Sequence, residues 1–140
     1  MNEIFTSADP VGYESRTRAV RLHGVLTHLR LEQLVWDVLE EIARRDALNV
    51  AHLVEELYDD LVQARGSVGD FAAFLRVTAL RYEALMARGR IPADEHQPLR
   101  PLNPALVLRE LPAHWALPPA PVPEANAARA LQRAISRLPH

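Results

Sequence analysis

Val25-Leu26-Thr27-His28-Leu29-Arg30-Leu31 is the stretch on which the fold turns. Thr27, Leu29 and Leu31 alternate with Leu26, His28 and Arg30, a period of two that puts the first set on one face of a strand and the second on the other. One face is mostly aliphatic and suited to a core, and the other is largely polar. A single short strand among helices leaves its backbone donors and acceptors unpaired, so it needs a partner.

Downstream the period changes to that of helices. From about Glu32 to Arg45, Val35, Trp36, Leu39, Ile42 and Ala43 recur at three- and four-residue steps, and Arg44 and Arg45 suit the C-terminal dipole. Asn49 is a good N-cap for a second helix carrying Val50, Leu53, Val54, Leu57 and Leu61, with its stop expected near Arg65-Gly66. Ser67 or Asp70 can cap a third helix, which holds Phe71, Phe74, Leu75, Leu80 and Tyr82 and ends near Arg88-Gly89.

Outside these elements the composition shifts. Residues 1–14 mix Ser, Asp, Pro and Gly without an apolar period and read as a mobile arm. Nine prolines lie between Pro92 and Pro123, which predicts extended or turn-rich chain, followed by a last helix from Glu124 to Leu138. The expected domains are therefore a flexible arm over 1–17, a strand-and-helix domain over 18–90, and a proline-rich extension over 91–140.

The 140 residues allow roughly one domain with a small core. No cysteine is present, which excludes disulfides, thiolate zinc sites and cysteine nucleophiles. The histidines at 23, 28, 52, 96, 114 and 140 are scattered without metal-site spacing. There is no glycine-rich phosphate loop and no Gly-x-Ser-x-Gly, so neither an enzyme nor a cofactor is expected. With no basic-then-apolar leader and no apolar run of about 18 to 20 residues, the expected setting is the cytoplasm rather than a membrane.

The formal net charge of -2 hides a segregation along the chain. Ser15 to Leu31 holds four arginines (Arg16, Arg18, Arg21, Arg30), two histidines and no acid, whereas Glu32 to Asp60 holds nine acids against Arg44 and Arg45. A basic strip backed by acidic helices can attract phosphate on one side and repel it on the other. The simplest partner for the lone strand is the same strand of a second copy, paired antiparallel about a twofold axis, and such a ribbon fits the DNA major groove.

Over about Val20 to Tyr82 the chain resembles the ribbon-helix-helix DNA-binding proteins, and within them a group of short regulators of alphaproteobacterial type. The resemblance is carried by Gly24-Val25-Leu26-Thr27-His28-Leu29-Arg30-Leu31-Glu32, then Trp36, Leu39, Ile42-Ala43, Leu48-Asn49 and Leu53-Val54. It ends on Gly69-Asp70-Phe71-Ala72-Ala73-Phe74-Leu75-Arg76-Val77, which looks like the group's Gly-Asn-Leu-Ser-Ser-Ala-Leu-Arg-Val. His28 and Arg30 stand where the group has serines, a change in specificity, and Ala72-Ala73 stand where it has Ser-Ser, a change in helix packing.

What the resemblance implies is a mainly helical fold with one short strand, paired across an intertwined homodimer, and the proline-rich C-terminal extension lies outside it. It makes Leu26, His28 and Arg30 the base-reading residues, with Arg30 able to donate two hydrogen bonds to guanine. It sets the start of the second helix, at Asn49 and Val50, against a phosphate. Arg16, Arg18 and Arg21 would add phosphate contacts from the arm, and Leu29, Leu31, Trp36, Leu39 and Ile42 would form the dimer core. The implied role is a transcriptional repressor on double-stranded DNA, dimeric or further assembled there, in the nucleoid. Two alternatives stay open: an antitoxin whose tail over 91–140 binds a toxin, and a helical adaptor that uses that tail for protein contacts.

Overall fold

The computed structural model describes residues 2–115. Two helical turns, α1 (Glu3–Thr6) and α2 (Pro10–Tyr13), precede strand β1 (Ser15–Leu22), strand β2 (Val25–Glu32) and the helices α3 (Gln33–Arg45), α4 (Val50–Arg65) and α5 (Phe71–Ala87). The chain divides into two units, residues 1–103 and 104–140. Of the second, the described part holds one helical turn, α6 (Pro104–Val107), and a turn closed by the Trp115 N–H donating to the Pro112 carbonyl at 2.8 Å. The helix expected over Glu124 to Leu138 lies outside the described residues.

One expectation of the fold is corrected. Among the described residues there are two strands rather than one, and β2 pairs antiparallel with β1 of the same chain, from Ser15 opposite Glu32 to Leu22 opposite Val25. The turn makes this possible. His23 and Gly24, the two residues between the strands, have φ of 49° and 76°, the paired positive values of a type I′ turn, whose twist matches that of a hairpin. The lone strand's need for a partner is thus met within the chain. The boundary drawn after residue 17 falls inside β1, and the one drawn after residue 90 falls inside the first compact unit.

The tip of the hairpin is anchored by aromatic rings. His23 meets Tyr58 edge-on at 5.1 Å, Tyr58 meets Phe71 edge-on at 5.2 Å, and Phe71 stacks on Phe74. The His23 Nδ1 also lies 3.2 Å from Asp59. This line of contacts joins the turn to α4 and α5.

The helices begin and end where their capping chemistry allows. Asn49 Oδ1 accepts the His52 N–H at 2.8 Å at the start of α4, and Asp70 Oδ1 accepts the Ala73 N–H at 3.0 Å at the start of α5. Gly66, in the left-handed region at φ 77°, ends α4. Under the sheet, Leu31, Trp36, Leu39, Val54 and Leu75 are fully buried, with Val20, Leu22, Leu29, Ile42, Leu53, Phe71 and Tyr82 around them.

A buried arginine ties residues 91–103 to the helices. Arg45, 5% exposed, donates through Nε to the Gln97 carbonyl at 2.8 Å and through Nη1 to the Tyr82 hydroxyl at 3.1 Å. Burial pushes the Tyr82 hydroxyl up to about 12, against the opposing pull of Arg45. Asp46 Oδ1 accepts the Leu99 and Arg100 N–H groups, and Arg100 closes on both oxygens of Glu56.

Candidate nucleic-acid interface

The pairing register decides which hairpin side chains face outward together. Because side chains alternate in both strands, Thr17 opposite Arg30, Ala19 opposite His28 and Arg21 opposite Leu26 share one face. All six are exposed. The other face carries Arg18 opposite Leu29 and Val20 opposite Thr27, with Val20 and Leu29 buried against the helices. Leu26, His28 and Arg30, expected as a reading set, therefore stand together on the outer face.

Among the described residues, neither Arg30 nor Arg21 has an ion pair with an acid. Arg21 Nη1 instead donates to the Gly24 carbonyl at 3.3 Å, which keeps its guanidinium near the turn. The outer face thus offers cations whose charge is not neutralised by a neighbouring carboxylate. A two-stranded ribbon with such a face has the width and donor set that a major groove accepts.

The three arginines grouped as phosphate contacts are separated by the structure. Arg21 joins the outer face, whereas Arg16 and Arg18 fall on the alternate positions of β1. Arg18 Nη2 lies 2.8 Å from Glu40 Oε1, and its guanidinium sits over the Trp36 ring at 4.9 Å. The Trp36 indole N–H, buried below, donates to the Arg16 carbonyl at 2.9 Å. Arg16 itself stays exposed, 3.4 Å from Glu14. Leu29, Leu31, Trp36, Leu39 and Ile42, expected at a dimer core, are all buried within one chain.

At the other expected phosphate position, Asn49 and Val50 line a shallow depression with Glu40, Arg44 and Leu48. The first backbone N–H groups of α4 have no partner one helical turn earlier, as at any helix start. Arg44, exposed, adds a cation beside them. The pattern of α3 assigned it only to the helix dipole.

Sequence reasoning missed Thr17 and Ala19. Their signal was the alternation running on from Arg16 to Leu22 and the His23-Gly24 pair between two such runs. It was obscured because arginines occupy positions on both faces.

The hairpin, its outward cations and the helices packed behind it define a ribbon-helix-helix protein, and residues 15–83 match the family model described as ribbon-helix-helix domain. The chain belongs to this family of DNA-binding regulators. Among solved structures it is similar to an uncharacterized protein from Bordetella pertussis Tohama I. The two are 54% identical, over 86% of this chain and 96% of that one, with a TM-score of 0.83. No curated protein matches the chain. Among the described residues no helix is long and apolar enough to cross a membrane.

Proposed function

We propose that this protein is a sequence-specific repressor that binds double-stranded DNA as a homodimer in the cytoplasm, reading the major groove with the outer face of its hairpin. The observation that carries the reading is the single exposed face formed by Arg30, His28 and Leu26 with Thr17, Ala19 and Arg21. Arg30 has the planar fork that matches O6 and N7 of guanine. His28 offers one donor or acceptor to a base edge, and Leu26 an apolar surface for a thymine methyl.

Affinity comes from the phosphates and specificity from the base edges. Arg21, near the turn on the reading face, and Arg16, exposed at the open end of the hairpin on the opposite face, can each meet a backbone phosphate. The N–H groups at the start of α4, beside Arg44, add an uncharged anion cradle. Occupying a promoter in this way blocks polymerase without any catalytic step.

Sequencing the genomic DNA that co-purifies with the full chain tests the proposal. Enrichment of a common motif, and a changed base preference at one position in the Arg30→Ala variant, are the expected results. Recovery of DNA without a motif, or a motif unchanged in that variant, overturns base reading by the hairpin.

A further inference from the structure

We infer that β1 is a second reading strand, in which Thr17 sets the preferred base beside the one read by Arg30. This rests on the base reading proposed above and assigns it a specificity-determining residue outside β2.

The register brings Thr17 onto the reading face. It stands directly opposite Arg30, and side chains paired in this way have Cβ atoms about 4.5 to 5.5 Å apart. Base pairs follow one another about 3.4 Å apart along a duplex strand. A base edge that the Arg30 guanidinium reaches therefore has its next neighbour within the span of this one pair of residues.

A threonine is short, so it reads a base only if its strand comes close to the groove floor. Ala19 permits that approach. It is the next outward residue of β1, opposite His28, and presents a single methyl group to the groove. Arg30 and His28 on β2 are long enough to incline along the groove as β1 settles into it. The outer face is thus low along β1 between Thr17 and Ala19, where a base edge can enter.

The Thr17 hydroxyl is uncommitted. The Thr27 hydroxyl donates to the Val25 carbonyl at 3.1 Å and the Thr78 hydroxyl to the Phe74 carbonyl at 2.8 Å. The hydroxyl of the exposed Thr17 has no hydrogen-bond partner among the described residues. Such a group serves as donor or acceptor to a base edge, and its methyl suits that of thymine. Branching at Cβ confines χ1, so the hydroxyl points in few directions. A stiff, short polar group discriminates between base edges, whereas the long side chains of Arg16 and Arg21 suit phosphate.

Selecting sites from a random DNA library with the full chain tests the inference, comparing the wild type with Thr17→Val, Thr17→Ser and Arg30→Ala and following folding by thermal melts. Valine keeps the branching and exchanges only the hydroxyl for a methyl group at an exposed site, so folding should be unchanged. Thr17→Val should flatten base preference roughly 2- to 10-fold, the effect of one hydrogen bond, at a position next to the one lost in Arg30→Ala. Thr17→Ser keeps the hydroxyl and should retain that preference. If Thr17→Val does not fold, Thr17→Ala decides by the same readout. A motif unchanged in Thr17→Val but altered in Arg30→Ala overturns the inference and leaves reading by β2 standing. A change confined to the Arg30 position overturns it too, because Thr17 would then act only through Arg30. Loss of the preference in Thr17→Ser overturns the hydroxyl contact. If the wild type selects no motif, or neither Thr17→Val nor Arg30→Ala alters it, base reading by the hairpin falls and the inference with it.

Discussion

Exchanging Arg30 or its neighbour Leu29 for alanine separates reading from folding, because adjacent strand residues point to opposite faces. Leu29 is 8% exposed and packs under the sheet, while Arg30 is exposed and opposite Thr17. Leu29→Ala removes three carbons from a packed site, which costs about 2 to 5 kcal/mol. A domain of this size has roughly 5 to 15 kcal/mol in total, so the melting temperature should fall by about 10 °C or more. Arg30→Ala disturbs no buried packing and should change stability by less than about 0.5 kcal/mol. Its cost falls on DNA: about 1 to 3 kcal/mol for each bidentate pair of hydrogen bonds, or roughly 5- to 150-fold in affinity per half-site, confined to one base pair. Thermal melts and fluorescence anisotropy on a set of single-base-pair variants of the selected site measure both quantities. The assignment of faces is refuted if Arg30→Ala melts as early as Leu29→Ala. Base reading by Arg30 is refuted if its variant discriminates at every base pair as the wild type does.

Replacing Arg16 and Arg21 together by alanine should make the dependence of log Kd on log salt shallower by about 0.9 for each phosphate that is no longer neutralised, equally on all sequences. Arg18→Ala should leave that slope unchanged and lower stability instead, since its guanidinium is held by Glu40 and the Trp36 ring. Gly24→Ala should destabilise the hairpin by about 1 kcal/mol in chemical denaturation, a conformational cost of placing a side chain at positive φ. No atom stands within 4 Å of the added Cβ, so a much larger loss would show that the turn is more tightly packed than this. The hydrogen bonds from Arg76 hold the Glu32 carboxyl below its usual range. Its stabilisation is therefore complete above the ordinary carboxylate pKa of about 4.3 and is lost as pH falls through the lowered value. Glu32→Gln should make the acid limb of the stability curve shallower, and an unchanged limb would show that this pair carries none of it.

Much of this protein follows from patterns that act over a few residues. The opposite facing of Leu29 and Arg30 is a consequence of strand geometry, which holds whatever the strand pairs with. The starts of α4 and α5 at Asn49 and Asp70, and the stop of α4 at Gly66, follow from side chains that bond to the nearest free backbone groups or tolerate positive φ. The strand's partner could not be fixed in this way. A second copy was the partner expected, and Arg18 at an inward position hid the alternation that would have pointed to the upstream segment. Only the packed structure shows how an arginine can stand there, over the Trp36 ring and against Glu40. The same holds for Arg45, which looked like a dipole partner at a helix end and is instead buried among Gln97, Tyr82 and Met86. Local sequence determined the elements and the directions of their side chains, because those depend on neighbours a few residues away. Tertiary structure decided which strand pairs with which and where two arginines lie, because both depend on groups brought close only when the chain folds.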